Sequence, residues 1–153
     1  MEIEPIKLDK HCISCLVYLD PPYHPWLFSG VYAPHTSQRR SDFWSYFSEL
    51  GNSFGGAWLL LGDFNFILSS SEKSGGRAFG NSGHEAFADF VNFNALVDLG
   101  FIGNKFTWSN RRGGSFNIRE RLDRGLANHN WVHLFPNSLV NYIPATNLII
   151  VLS

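Results

Sequence analysis

The stretch Ala57-Trp58-Leu59-Leu60-Leu61 is apolar at every position and stops abruptly at Gly62-Asp63-Phe64-Asn65. A strand on a one-sided sheet alternates between apolar and polar residues, whereas one with no polar position has to be covered on both faces. This run therefore demands a layered domain with a sheet in its middle. The flanking segments supply the layers. From His11 to Leu19, Cys12, Ser14, Leu16 and Tyr18 alternate with Ile13, Cys15 and Val17, as in a strand. Trp26 to Tyr32 is a second apolar run leading into Ala33-Pro34-His35. The 3.6-residue period predicts a helix from about Gln38 to Leu50, with Phe43, Phe47 and Leu50 on one stripe and Gly51 at its end.

Beyond a Ser/Gly-rich loop from Ser69 to Gly83, a second helix is expected from His84 to about Asn94, burying Phe87, Phe90 and Val91. A short strand follows at Phe106 to Ser109, then a hairpin signal at Arg112-Gly113-Gly114-Ser115 and a return strand from Ile118 to Leu126. Asn128 is placed to cap a short helix containing Trp131, and Ser138–Tyr142 and Leu148–Leu152 read as closing strands. No repeat or linker divides the 153 residues, so a single mixed α/β domain built on sheet packing is expected.

Composition agrees with a packed core, since 44% of residues are apolar and only 16% charged. A net charge of -1 excludes a generally basic coat, but the charges are unevenly placed. Residues 105–153 hold half of the Lys and Arg, five of them Arg111, Arg112, Arg119, Arg121 and Arg124, against only two acidic residues. Cys12 and Cys15, three apart in a strand, fall on opposite faces and are badly placed for a mutual disulfide. They are expected to be reduced, as in an intracellular protein. The acidic start Met1-Glu2-Ile3-Glu4-Pro5 is unlike a signal peptide, and no apolar run nears the roughly 20 residues of a membrane span.

Three features carry candidate chemistry. Asp63 and Asn65 stand at the carboxyl end of the buried strand, where ligands of α/β folds collect. A carboxylate there can hold Mg²⁺ or a water and an Asn amide can reach a phosphate oxygen, although Gly-Asp-x-Asn is also a common turn. Tyr32, ahead of Pro34, can offer its hydroxyl to a phosphate or simply sit at the rim of the core. In Glu120-Arg121-Leu122-Asp123-Arg124, Arg121 and Asp123 share a strand face and are read first as a local ion pair.

In this order, Tyr32-Ala33-Pro34, Gly62-Asp63-Phe64-Asn65, Asp98-Leu99-Gly100-Phe101, Phe106-Thr107-Trp108-Ser109-Asn110 and Arg121-Leu122-Asp123 resemble the endonuclease/exonuclease/phosphatase superfamily. The pattern is most similar to the endonuclease domain of plant LINE-type retroelement polyproteins and extends from about Gly30 to the C-terminus. The resemblance implies a deoxyribonuclease I-like fold of two packed mixed sheets flanked by helices. It also implies phosphodiester hydrolysis with Mg²⁺ or Mn²⁺, and DNA as partner. Asp63 would position or deprotonate the attacking water and serve as a metal ligand, Asn65 and Tyr32 would hold the phosphate, and Asp123 would orient a catalytic His. Independently of the resemblance, the basic strip of Arg111, Arg112, Arg119, Arg121 and Arg124, with Thr107 and Trp108 adjacent, can contact several phosphates of a nucleic acid or serve as a solvated face.

The chain departs from that pattern at both ends. The family carries an Asn and a metal-binding Glu ahead of Tyr-x-Pro, and here Glu2 and Glu4 lie in no matching context. It ends on Ser-Asp-His before an apolar strand, where this chain has Thr146-Asn147-Leu148. A partial domain, lacking N-terminal strands and impaired in catalysis, is the expectation. Two alternatives remain at this level: a non-catalytic remnant that binds nucleic acid through the arginine-rich hairpin, and an unrelated aromatic-rich binding module.

Overall fold

The computed structural model describes residues 1–19, 24–80, 84–143 and 147–151. In chain order the elements are β1 (Glu2–Leu8), β2 (Cys12–Tyr18), β3 (Trp26–Tyr32), α1 (Ser37–Phe54), β4 (Trp58–Asp63), β5 (Lys73–Ser74), α2 (His84–Phe93) and β6 (Val97–Asp98). There follow β7 (Phe101–Ile102), β8 (Trp108–Ser109), β9 (Arg119–Glu120), β10 (Asp123–Ala127), α3 (His129–Leu134), β11 (Leu139–Ile143) and β12 (Asn147–Val151). A six-stranded sheet runs β1-β2-β3-β4-β10-β6, mixed because β3 and β4 are parallel. A second mixed sheet has the order β12-β11-β7, and a small antiparallel ladder joins β5, β9 and β8. The protein is thus α/β, with mixed sheets and flanking helices, as the sequence led us to expect. Among the described residues no helix is long and apolar enough to cross a membrane.

The all-apolar β4 is covered on both faces. Trp58 and Leu60 join a core with Phe43, Trp44 and Phe47 of α1 and Phe87 and Phe90 of α2. Leu59 faces the other way, toward Trp26 and Trp131. The same alternation separates the cysteines, with Cys12 in the first layer and Cys15 in the second, both free thiols. Burial pushes the Cys12 thiol up to about 11. Asn128 caps α3 as expected, accepting from the Trp131 amide at 3.0 Å. Its side chain also takes the Trp58 amide at 3.0 Å and donates to the Gly56 carbonyl at 2.7 Å, which ties α3 to the start of β4.

Two expectations fail for instructive reasons. The helix expected to end near Gly51 runs on to Phe54 and stops at Gly55, whose φ of 65° is the left-handed conformation that closes helices. Gly51 serves packing instead, because a β-carbon there would lie 2.3 Å from the Trp58 ring. The return strand expected from Ile118 to Leu126 is broken at Arg121-Leu122 into β9 and β10, which belong to different sheets. Leu152, at the end of the expected closing strand, lies outside the described residues.

Gly51 tests this packing directly. Alanine is favoured over glycine in a helix by about 1 kcal/mol, whereas overpacking a core typically costs about 1–3 kcal/mol. Gly51→Ala is expected to lower the midpoint of chemical denaturation. A rise in the midpoint would mean that the Trp58 ring yields freely.

Candidate functional site

The strands put three of the expected residues in a row. The parallel register of β3 and β4 sets Tyr32 beside Asp63, and the antiparallel register of β4 and β10 sets Asp63 beside Asp123. All three stand at one end of the large sheet, on three consecutive strands. Asp63 and Asp123 are half-buried, and Tyr32 is 50% exposed. Burial pushes the Asp63 carboxyl up, opposed by the Asn65 amide and His35 but reinforced by the charge of Asp123.

The loops at this end are bound to one another. Gly62 holds a φ of 144°, open to glycine almost alone, and a β-carbon there would sit 2.1 Å from the Val31 carbonyl oxygen. Asp63 accepts the Asn65 amide at 2.8 Å, and its carbonyl takes the Ala33 amide at 2.8 Å. Asn65, at a φ of 55°, donates its side-chain amide to the Ala33 carbonyl. The Phe64 amide reaches the Leu122 carbonyl at 2.9 Å. Gly-Asp-x-Asn is therefore a turn whose side chains lock it to Tyr32-Ala33-Pro34. The Asn65 amide expected to contact phosphate instead bonds this neighbouring loop.

The hairpin residues divide into two groups. Arg111 and Arg112 are exposed, on a loop organised by Asn110, whose side chain accepts from the Arg112 and Ile118 amides. Arg119 is exposed over the Phe106 ring, 4.8 Å from its centroid, and Trp108 is 42% exposed. A cleft of about 490 Å³ lies among Asn104, Phe106, Trp108, Arg111 and Arg119. Arg121 and Arg124, expected to contact nucleic acid, are only 5% and 0% exposed and cannot do so. Thr107 is likewise turned to internal use, its hydroxyl accepting from the Leu122 and Asp123 amides at 3.0 and 3.1 Å.

The two buried arginines form a closed charge cluster. Arg121 grips Asp98 with two bonds of 2.8 Å and reaches Glu72 at 3.0 Å. Arg124 bonds Glu72 at 2.8 and 3.0 Å and Asp98 at 3.2 Å. The expected pair of Arg121 with Asp123 does not form, because the break between β9 and β10 sends Arg121 inward. Tyr142 of β11 accepts from Arg121 at 3.1 Å and donates to the Asp123 carbonyl. Burial works to raise both carboxyls, but the two arginines, helped by backbone amides, hold Glu72 and Asp98 below their usual range.

Sequence reasoning missed Glu72, Tyr142, and the two histidines beside Tyr32. His11 stacks on Tyr32 at 6.3 Å between centroids, and His35 meets it edge-on at 6.4 Å. The available signal for Glu72 was the length of its loop, since a long loop in a compact domain needs pinning.

The fold has known counterparts. The endonuclease domain of TRAS1, a telomere-specific non-LTR retrotransposon, matches with a TM-score of 0.66 at 11% identity, over 90% of this chain and 61% of that one. The beta toxin 275-280 from Staphylococcus aureus matches with a TM-score of 0.59 at 12% identity, over 89% of this chain and 48% of the toxin. An endonuclease/exonuclease/phosphatase family protein from Bacteroides thetaiotaomicron gives 0.47 at 14% identity, over 91% of this chain and 50% of that one. This chain thus spans about three fifths of the first and about half of the others. No protein-family model and no curated protein matches its sequence.

The carboxyls set opposing pH dependences. The lowered Glu72 and Asp98 contribute stability above their ordinary values of 4.5 and 3.8, lost as pH falls through their depressed folded values. Asp63, raised above 3.8, contributes only at low pH and loses that contribution as pH climbs through its folded value. Thermal melts from pH 7 to pH 3 should show Glu72→Gln less stable than the parent at neutral pH, with a flatter acid limb. Asp63→Asn should melt higher than the parent at pH 7, with the gain vanishing in acid. A neutral-pH loss in Asp63→Asn would show that its carboxylate serves the fold.

Proposed function

We propose that the row Tyr32, Asp63 and Asp123 is the phosphodiester site of an endonuclease-type domain of retroelement origin, that this chain is a piece of such a domain, and that its cleavage is impaired. The observation that carries the reading is the register, which brings residues from three distant motifs to one level at one sheet end. The fold shared with a retrotransposon endonuclease domain supports it, as does the order of the motifs. In this site the exposed Tyr32 hydroxyl donates to a phosphate oxygen. Asp63, its carboxyl raised by burial and by Asp123, takes a proton from an attacking water. Asn65 positions the Tyr32 loop and Asp123 faces Asp63 across the ladder.

Phosphoryl transfer of this kind draws charge stabilisation from Mg²⁺ or Mn²⁺. The donor set does not fit a complete metal seat. Among the described residues no three His, Cys, Asp or Glu side chains are grouped to hold an ion. Asp63 spends part of its carboxylate on the Asn65 amide. Position 148 points the same way. Leu148 pairs with Tyr142 across the β11–β12 ladder, and Tyr142 bonds the Asp123 carbonyl. Leucine at that place accepts no proton. Loss of a general acid or base alone removes about 10²–10⁴-fold in rate.

A second reading, a remnant that binds nucleic acid without cutting it, is favoured by the cleft between Trp108, Arg111 and Arg119. Nicking of supercoiled plasmid with Mg²⁺ or Mn²⁺ separates the two. The chain should bind duplex DNA weakly, with affinity falling steeply in salt, and nick it little if at all. In a chain extended upstream, Asn147→Asp with Leu148→His should raise EDTA-sensitive nicking, and Asp63→Ala should abolish that gain. Robust EDTA-sensitive nicking by the unaltered chain, lost in Asp63→Ala, would overturn the impairment. A double variant as inert as the parent would leave the binding remnant as the better description.

A further inference from the structure

Opposite the arginine hairpin, across Tyr32, lies a second basic cleft. It has a volume of about 320 Å³, and its lining includes Lys10, His11, Arg39 and Asp42. The β1–β2 turn that forms one wall is closed by its own hydrogen bonds. Asp9 accepts the His11 and Cys12 amides at 2.7 and 2.9 Å, and its own amide donates to the Cys12 carbonyl at 2.9 Å. His11 then fixes the turn to Tyr32, with its ring nitrogen 3.0 Å from the Tyr32 carbonyl oxygen.

The charges within this cleft are not balanced. The Asp9 carboxylate is occupied by two amides and by Lys7 at 3.3 Å. Lys10 at the tip of the turn and Arg39 in the first turn of α1 are exposed, and neither has an ion pair among the described residues. Only Asp42 offsets them. The start of α1 adds no negative charge, because its first turn has no acidic side chain and Thr36 makes no side-chain cap. Arg40, by contrast, is folded back onto the His35 carbonyl at 2.7 Å and the Phe66 ring.

We propose that Lys10 and Arg39 form a second contact for the phosphate backbone of duplex DNA, on the flank of Tyr32 away from Arg111 and Arg112. The inference rests on the reading of this sheet end as a DNA-facing site and adds residues that no motif marks. The sheet order gives the reach. The turn joins β1 to β2, the row lies on β3, β4 and β10, and Thr107 at the base of the hairpin accepts from the Asp123 amide beyond it. Four interstrand steps of about 4.8 Å make about 19 Å. At about 3.4 Å per base step that is roughly six steps of duplex. One backbone can therefore run from Lys10 and Arg39 past Tyr32 toward the base of the hairpin.

The test is fluorescence anisotropy with a labelled DNA duplex over a series of salt concentrations. Both residues are exposed, and circular dichroism checks that each variant folds. Lys10→Ala/Arg39→Ala should weaken binding several-fold and flatten the log Kd against log salt slope by about 1.8, the value for two lost contacts. Its effect should add to that of Arg111→Ala/Arg112→Ala. If Lys10→Ala/Arg39→Ala matches the parent while the hairpin variant loses affinity, the second contact is overturned and the DNA-facing site stands. If the parent shows no affinity at low salt, or neither pair alters it, both readings fall.

Discussion

The geometry of the site depends on a buried cluster of two carboxylates and two guanidinium groups. Glu72 comes from a loop, Asp98 from the end of β6, and Arg121 and Arg124 from either side of the entry into β10. Moving such charges out of water costs several kcal/mol per ion in real proteins, and only near-complete hydrogen bonding offsets it. Here Glu72 also takes the Leu68 amide, Asp98 takes the Gly100 amide, and Arg124 reaches the Phe66 carbonyl. The chain consequently leaves β9 at Arg121 and enters another sheet at Asp123. A continuous strand would have turned Arg121 and Asp123 to one side. The break turns Arg121 inward and leaves Asp123 in register with Asp63.

Around that break the site is assembled chiefly by main-chain bonds. Amides of residues 33, 64 and 123 are satisfied by groups from other motifs of the site, and that of residue 65 by Asp63 within its own. The side chains left to meet a ligand are few: the Tyr32 hydroxyl, the two facing carboxylates, and the exposed arginines. Burial and like charge both raise a carboxyl, and both act on Asp63. This strain on Asp63 is tolerated because the glycine before it and the asparagine after it hold the turn.

The sheet and helices were legible because their signals are local. The five apolar residues before Gly62 could belong only to a strand buried twice, and β3 covers the residues its apolar run marked out. Tyr32, Asp63 and Asp123 were marked by motif order, and the strand registers bring them together. The fates of Arg121, Arg124 and Thr107 were not legible. Their sequence context is that of a basic hairpin, and only the distant acids Glu72 and Asp98 pull the two arginines inside. The end of α1 was misread for a related reason. A glycine near a helix end signals termination, yet Gly51 is glycine because Trp58, seven residues away on β4, leaves no room for a side chain.

The placement of the two cysteines gives the molecule a pair of independent reporters. Cys12 belongs to the layer under α1 and α2, and Cys15 to the layer under α3. A sheet separates them, so oxidation cannot bridge them while that sheet persists. A buried thiol becomes open to an alkylating reagent when its own layer loosens. The labelling rates at Cys12 and Cys15 therefore time the opening of each side of the sheet, and a difference between them would reveal one layer parting before the other.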